Sequence, residues 1–174
     1  MTELPERPLD LTRLLEILAD HGVEYTVIGG VAVQVHGHRR TTRDLDVIPD
    51  PRPENLRRLA AALAELDAHP RDLPGGPPDA DQLAAAPVVP PLTTRHGQLH
   101  IFNAVPGAAP YDQLRARAVV VDLDGLEIAI VGLDDLILDE ARCRPPERPR
   151  GPRRAHRGSS RVTSEGPAWC RALG

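Results

Sequence analysis

From Leu9 onward, Leu11, Leu14, Leu15 and Leu18 recur at helical spacing and mark one apolar face. The pattern predicts a helix over 9–19, with Gly22 as its C-terminal cap. Tyr25-Thr-Val-Ile is a short β-branched run of the kind that fills a buried strand. It ends at Gly29-Gly30, and 31–36 then reads as a short helix closed by Gly37. Residues 43–48 alternate polar and apolar as a strand does, with Pro49 and Pro51 punctuating its end. Leu56, Leu59, Ala60, Leu63 and Leu66 form the stripe of a helix over 54–66.

Periodicity fades across 70–91, a long excursion rich in Pro, Gly and Asp and interrupted only by Gln82-Leu-Ala-Ala-Ala. Residues 92–94 and 98–103 read as a hairpin turning at His96-Gly97 and stopped by Pro106-Gly107. A helix follows over 111–118, with Tyr111 and Leu114 on one face. Two apolar runs, 119–123 and 126–131, flank Asp124-Gly125, the strongest short-range hairpin signal in the chain. Another helix begins over 133–141. Helices interleaved with strands predict an α/β (α+β) domain built on a mixed sheet flanked by helices.

A length of 174 residues suits one domain, and 41% hydrophobic with 26% charged residues is a globular balance. Aromatics are only 2%, so the core must be aliphatic. No apolar stretch approaches the ~20 residues that cross a bilayer. Met1-Thr-Glu-Leu-Pro-Glu-Arg lacks the basic-then-apolar pattern of a secretion signal. The expectation is a cytoplasmic protein without a membrane partner. Cys143 and Cys170 fit neither a zinc cluster nor a disulfide framework.

The net charge of −4 divides unevenly. Residues 1–141 carry 12 Arg against 23 Asp and Glu, a balance of −11, whereas 142–174 carry 9 Arg against 2 Glu, a balance of +7. The basic segment reads either as an arm for nucleic-acid phosphates or as a disordered Pro/Gly-rich tail. The acidic body argues against broad, non-specific duplex binding.

Three features with chemical potential fall within twenty residues. Gly29-Gly30 stands between a strand and a helix, where glycine lets the chain turn sharply and a phosphate approach the helix amides. A plain turn uses the same residues. Asp44-x-Asp46 puts two carboxylates on one face of a strand, their Cα atoms about 6.6 Å apart, where they can jointly hold Mg²⁺. Leu45 and Val47 would then face the core; a solvated edge strand is the plainer alternative. Arg39, Arg40 and Arg43 precede the carboxylates, and guanidinium groups match phosphate oxygens bidentately, although they also serve as an ordinary basic loop.

The run Gly29-Gly-Val-Ala-Val-Gln-Val-His-Gly-His-Arg-Arg-Thr-Thr-Arg-Asp-Leu-Asp resembles the signature of the polymerase-beta-type nucleotidyltransferase superfamily. It looks most like small bacterial AbiEii-like proteins, with their GG-x-A, HG and R-x-T-x-DLD pattern. The likeness extends more loosely from Leu9 to Leu138. It implies a nucleotidyltransferase-like fold in which Gly29 and Gly30 touch nucleotide phosphates. Asp44 and Asp46 would bind Mg²⁺, with Mn²⁺ as an alternative, and Arg39, Arg40 and Arg43 would join the nucleotide site. The implied reaction moves an NMP from an NTP to a hydroxyl of RNA or protein and expels pyrophosphate. A toxin-like role with an antitoxin partner is implied too.

Two departures from that pattern matter. Active members carry a third carboxylate on a later strand; here the matching position is His100. Neutral imidazole is a poor Mg²⁺ ligand, though it can act as a base or accept Mn²⁺ or Zn²⁺. The alternative function is therefore a catalytically impaired nucleotide- or partner-binding module on the same fold. The second departure is Asp139-Glu-Ala-Arg-Cys-Arg-Pro-Pro-Glu-Arg-Pro-Arg. With a suitable choice of codons and a shift of one nucleotide, the stretch can encode Thr-Lys-Arg-Ala-Ala-Gly-Arg-Pro-Asn-Asp-Arg, the continuation the resemblance implies. The expected organisation is thus a nucleotidyltransferase-like domain over 1–141 and a disordered, frameshift-derived tail over 142–174. A third reading, a decayed gene product, follows from the same tail.

Smaller signals complete the list. His36-x-His38 reads as two diverging, solvated imidazoles, and Asp134-Asp135 as support for a helix N-terminus. Asp122 and Asp124 flank a turn, and Trp169 is expected to be exposed.

Overall fold

The computed structural model describes residues 8–39, 41–105 and 108–136. Arg40, Pro106-Gly107, the 137–141 part of the helix expected over 133–141, and the tail with Cys143, Trp169 and Cys170 lie outside the described residues.

The elements run in the order α1 (Leu11–Asp20), β1 (Tyr25–Ile28), α2 (Gly29–Val35), β2 (Asp44–Pro49), α3 (Pro53–Glu65) and β3 (His69–Pro70). There follow α4 (Ala80–Ala85), β4 (Leu92–Thr94), β5 (Gly97–Ile101), α5 (Tyr111–Arg117), β6 (Val119–Leu123) and β7 (Leu126–Ile130). The strands form one mixed sheet in the order β3-β4-β5-β2-β1-β7-β6. β2 runs parallel to β5 and β1 parallel to β7, while the other neighbours are antiparallel.

Local chemistry explains most boundaries. Asp10 caps α1 by accepting from the Arg13 amide, and α1 buries Leu14, Leu15, Ile17 and Leu18. Pro53 opens α3, whose Leu56, Leu59 and Leu63 face inward. Asp124 and Gly125 both take positive φ, 54° and 89°, as a tight β6–β7 turn requires. β2 lies in the middle of the sheet and is covered on both faces. Leu45 and Val47 on one face and Asp46 and Ile48 on the other are at most 3% exposed. α1 packs on α3 and β7, α5 on β1, and α2 on β1 and β2.

Several expectations need correction. The short helix starts at Gly29 rather than Val31, so the diglycine is its first turn and no loop separates β1 from α2. The β4–β5 turn falls at Arg95-His96, and Gly97 (φ +119°) opens β5, where a Cβ would lie 2.9 Å from the Leu9 Cα. The excursion over 70–91 is tied down. Asp79 and Gln82 form a reciprocal cap on α4, Leu83 and Val89 are buried, and Val88 bridges to Phe102.

One small signal also turns out differently. The His36 ring bonds through Nε2 to the Val131 carbonyl at 2.8 Å, so it pins α2 to the end of β7 instead of standing in solvent. Asp134 and Asp135 do stand in the first turn of a helical stretch that starts at Leu133, and the Asp135 carboxylate is in addition taken bidentately by Arg117 at 2.9 and 2.8 Å.

Candidate functional site

The parallel pairing of β2 with β5 sets Asp44 beside Gln98 and Asp46 beside His100. Side chains two apart share a face, so all four point to the same side of the sheet. His100 Nδ1 lies 2.9 Å from Asp46 Oδ1 and 3.5 Å from Asp44 Oδ2. One ligand-type atom from each of Asp44, Asp46 and His100 falls within 4.8 Å of the others. The cluster opens on one side only: the Asp46 and His100 side chains are 1% and 8% exposed, and that of Asp44 is 24% exposed.

The diglycine makes this convergence sterically feasible. Gly29 has φ +65°, and a Cβ there would sit 2.0 Å from Asp46 Oδ2. A Cβ on Gly30 would come within 2.5 Å of Thr42 Oγ1. These two glycines therefore seat a carboxylate and a hydroxyl directly, and both are buried.

Electrostatics follow from the burial. Desolvation raises the Asp46 carboxyl above the ordinary carboxylate value, and the nearby charge of Asp44 adds to the rise. Hydrogen bonds from His100 and Gly30 oppose it. A buried carboxylate beside a second one is an arrangement that a cation relieves. Two carboxylate oxygens and one imidazole nitrogen, converging from two strands, are a donor set that fits a divalent cation.

The expected arginines divide. Arg39 is exposed, and with Gln34, Gly37, His38 and Thr41 it lines an open cleft of about 490 Å³ at the end of α2. Arg43 is exposed on the short stretch between that cleft and Asp44. Arg40 is outside the described residues. Arg39 and Arg43 are thus both exposed, whereas Asp46 and His100 are buried.

Two groups near the cluster have no role assigned in the motif-based reading: Thr42, which is the Thr of the R-x-T-x-DLD pattern, and Gln98. Thr42 Oγ1 donates to the Asp44 carbonyl at 3.0 Å and lies 3.1 Å from Asp44 Oδ1, which steadies the more exposed carboxylate. A hydroxyl two residues before an acid is a signal for such a turn. Gln98 shares the face of Asp44 and accepts from Arg71 Nη1 at 3.1 Å through Oε1. Arg71 arrives from the excursion after β3, held by its amide on the Pro91 carbonyl at 2.8 Å, and no local pattern announces it.

A scan against protein-family models finds no match, and neither does a search of curated proteins. Among solved structures the chain is similar to a crystal structure of a "putative nucleotidyltransferase" from Thermotoga maritima. The TM-score is 0.51 at 14% identity, covering 76% of this chain and 81% of that one. At that identity the likeness is one of fold. The architecture here is nucleotidyltransferase-like: a mixed sheet flanked by helices, with an acidic pair beside a glycine-opened helix. Among the described residues, no helix is long and apolar enough to cross a membrane.

Proposed function

We propose that this chain is a metal-dependent nucleotidyltransferase that moves an NMP from an NTP to a hydroxyl of an RNA or protein acceptor. The observation that carries this reading is the convergence of Asp44, Asp46 and His100 against the Gly29 end of α2. In the reaction the acceptor oxygen attacks the α-phosphorus, and the bond to the bridging oxygen of the β-phosphate breaks. Pyrophosphate leaves, and the hydroxyl proton passes to water at the exposed, Asp44 edge of the cluster. Asp44 and Asp46 would hold a divalent cation, whose chemistry there would be to neutralise the charge of the reacting phosphates.

The chain's own residues do the rest. The cleft at Gln34, His38 and Arg39 stands next to the cluster in sequence and suits the polyphosphate, with Arg39, Arg40 and Arg43 as its guanidinium donors. Gly29 and Gly30 contribute by admitting Asp46 and Thr42 so closely that both acids reach one point. Gln98 and Arg71 lie on the opposite flank, one strand away from Asp44, and suit the acceptor.

Labelled-NTP transfer to total RNA and total protein, with divalent cation present, tests the proposal. The expected result is label in one fraction, reduced at least about 100-fold by Asp44→Ala. Equal label with both proteins removes the enzymatic reading. The toxin-like role belongs to the same proposal. Induced expression should arrest growth with the wild type and not with Asp44→Ala, and arrest by both would refute it.

One observation favours the second reading, a binding module without turnover. His100 Nδ1 already bonds Asp46 at 2.9 Å, which partners the buried acid without a metal. Retained NTP binding with no transfer under any divalent cation selects that reading.

A further inference from the structure

The third donor of the cluster decides which ion it suits. We infer that His100 makes this a site for a borderline divalent ion that accepts nitrogen, of the Zn²⁺ class, in preference to Mg²⁺. The inference rests on the metal-holding part of the function proposed above and not on the transfer step.

The geometry is specific to this ligand set. The nitrogen facing the carboxylates is Nδ1, 2.9 Å from Asp46 Oδ1 and 3.5 Å from Asp44 Oδ2. Donors bound at about 2.0–2.1 Å stand about 2.9 Å apart in an octahedral shell and about 3.3–3.4 Å apart in a tetrahedral one. The imidazole nitrogen therefore stands at ligand spacing from Asp46 and slightly beyond it from Asp44. It cannot easily turn away. His100 is 6% exposed, its register beside Asp46 is set by the β2–β5 ladder, and its ring meets Phe102 edge-on with centroids 6.5 Å apart.

Hard Mg²⁺ prefers carboxylate and water oxygens and gains little from imidazole, whereas Zn²⁺ accepts it readily and Mn²⁺ tolerates it. Thr42 strengthens the assignment. By bonding the Asp44 carbonyl and lying 3.1 Å from Oδ1, it leaves Oδ2 as the oxygen nearer His100.

The test titrates the full chain with Mg²⁺, Mn²⁺ and Zn²⁺ separately by calorimetry, in wild type and His100→Asp. The expected result is that Zn²⁺ binds at least about tenfold more tightly than Mg²⁺. His100→Asp should narrow that ratio at least about tenfold by gaining Mg²⁺ affinity. Because any N/O site favours Zn²⁺ somewhat, the narrowing is the decisive quantity.

Electron spin-echo spectroscopy of bound Mn²⁺ gives a second readout: ¹⁴N modulation in the wild type, lost in His100→Gln, a variant that keeps a polar side chain if the acid at this position prevents folding. Mg²⁺ bound as tightly as Zn²⁺, an unchanged Zn²⁺ to Mg²⁺ ratio in His100→Asp, or bound Mn²⁺ without nitrogen coupling overturns the inference. Intact nitrogen coupling with no transfer activity refutes the transfer reading alone and leaves this one standing.

Discussion

Gly29 and Asp46 are a matched pair. At φ +65° an L side chain is strained, and here its Cβ would also lie 2.0 Å from the carboxylate oxygen. Gly29→Ala should therefore cost about 2–4 kcal/mol of folding stability, read by urea denaturation. Asp46 itself is held at a cost. Its carboxyl titrates above the usual value of 3.8, so the folded state keeps the proton more tightly than the unfolded chain does. The penalty is absent below that usual value and grows as pH rises through the elevated one. With metal chelated, Asp46→Asn should equal the wild type near pH 4 and exceed it in stability at pH 7. Urea midpoints across that range measure this; a variant no more stable at pH 7 refutes it.

The helices and strands were legible wherever period and punctuation agreed, as in α1, α3 and the β6–β7 hairpin. They were less legible where a distant partner sets the boundary. Gly29-Gly30 joins α2 because the turn must clear Asp46 and Thr42, residues of the next strand. Asn55, in the first turn of α3, shows the same dependence. Its side chain accepts from the Glu24 amide at 2.7 Å and donates to the carbonyls of Glu24 and Asp50 at 2.8 and 2.9 Å. It thereby fastens the start of α3 to the chain on either side of the β1–β2 pair. Asn55→Ala leaves three backbone groups without this partner in a buried setting. A loss of about 2–3 kcal/mol in denaturant unfolding is expected.

Taken together, the strand order makes the site. Asp44-x-Asp46 was readable as a pair, and His100 as a third position, but their meeting depends on β2 and β5 pairing across the whole α3–β4 stretch. Acid should unfold the molecule partly through Asp50. Arg52 bonds its carboxylate and holds it below the ordinary value, so the stabilisation is present above about pH 3.8 and lost as pH falls through the lowered value. Wild-type stability should drop more steeply than that of Asp50→Asn below pH 4, by thermal melts. We also propose that 142–174 add nothing to the core. A chain ending at residue 141 should melt within about 2 °C of the full one, and a larger loss would assign the tail a structural role. Gene codons incompatible with the one-nucleotide shift would end the frameshift explanation.

Short-range information reached far in this chain: apolar period, turn residues and a glycine–carboxylate signature are all encoded within about twenty neighbours of one another, where local sterics and alternation act. Burial of Asp46, the lateral partnership with His100, and the arrival of Arg71 beside Gln98 depend on contacts between residues 27 and 54 positions apart. Such contacts are chosen when strands compete for one sheet, and no local pattern carries that choice.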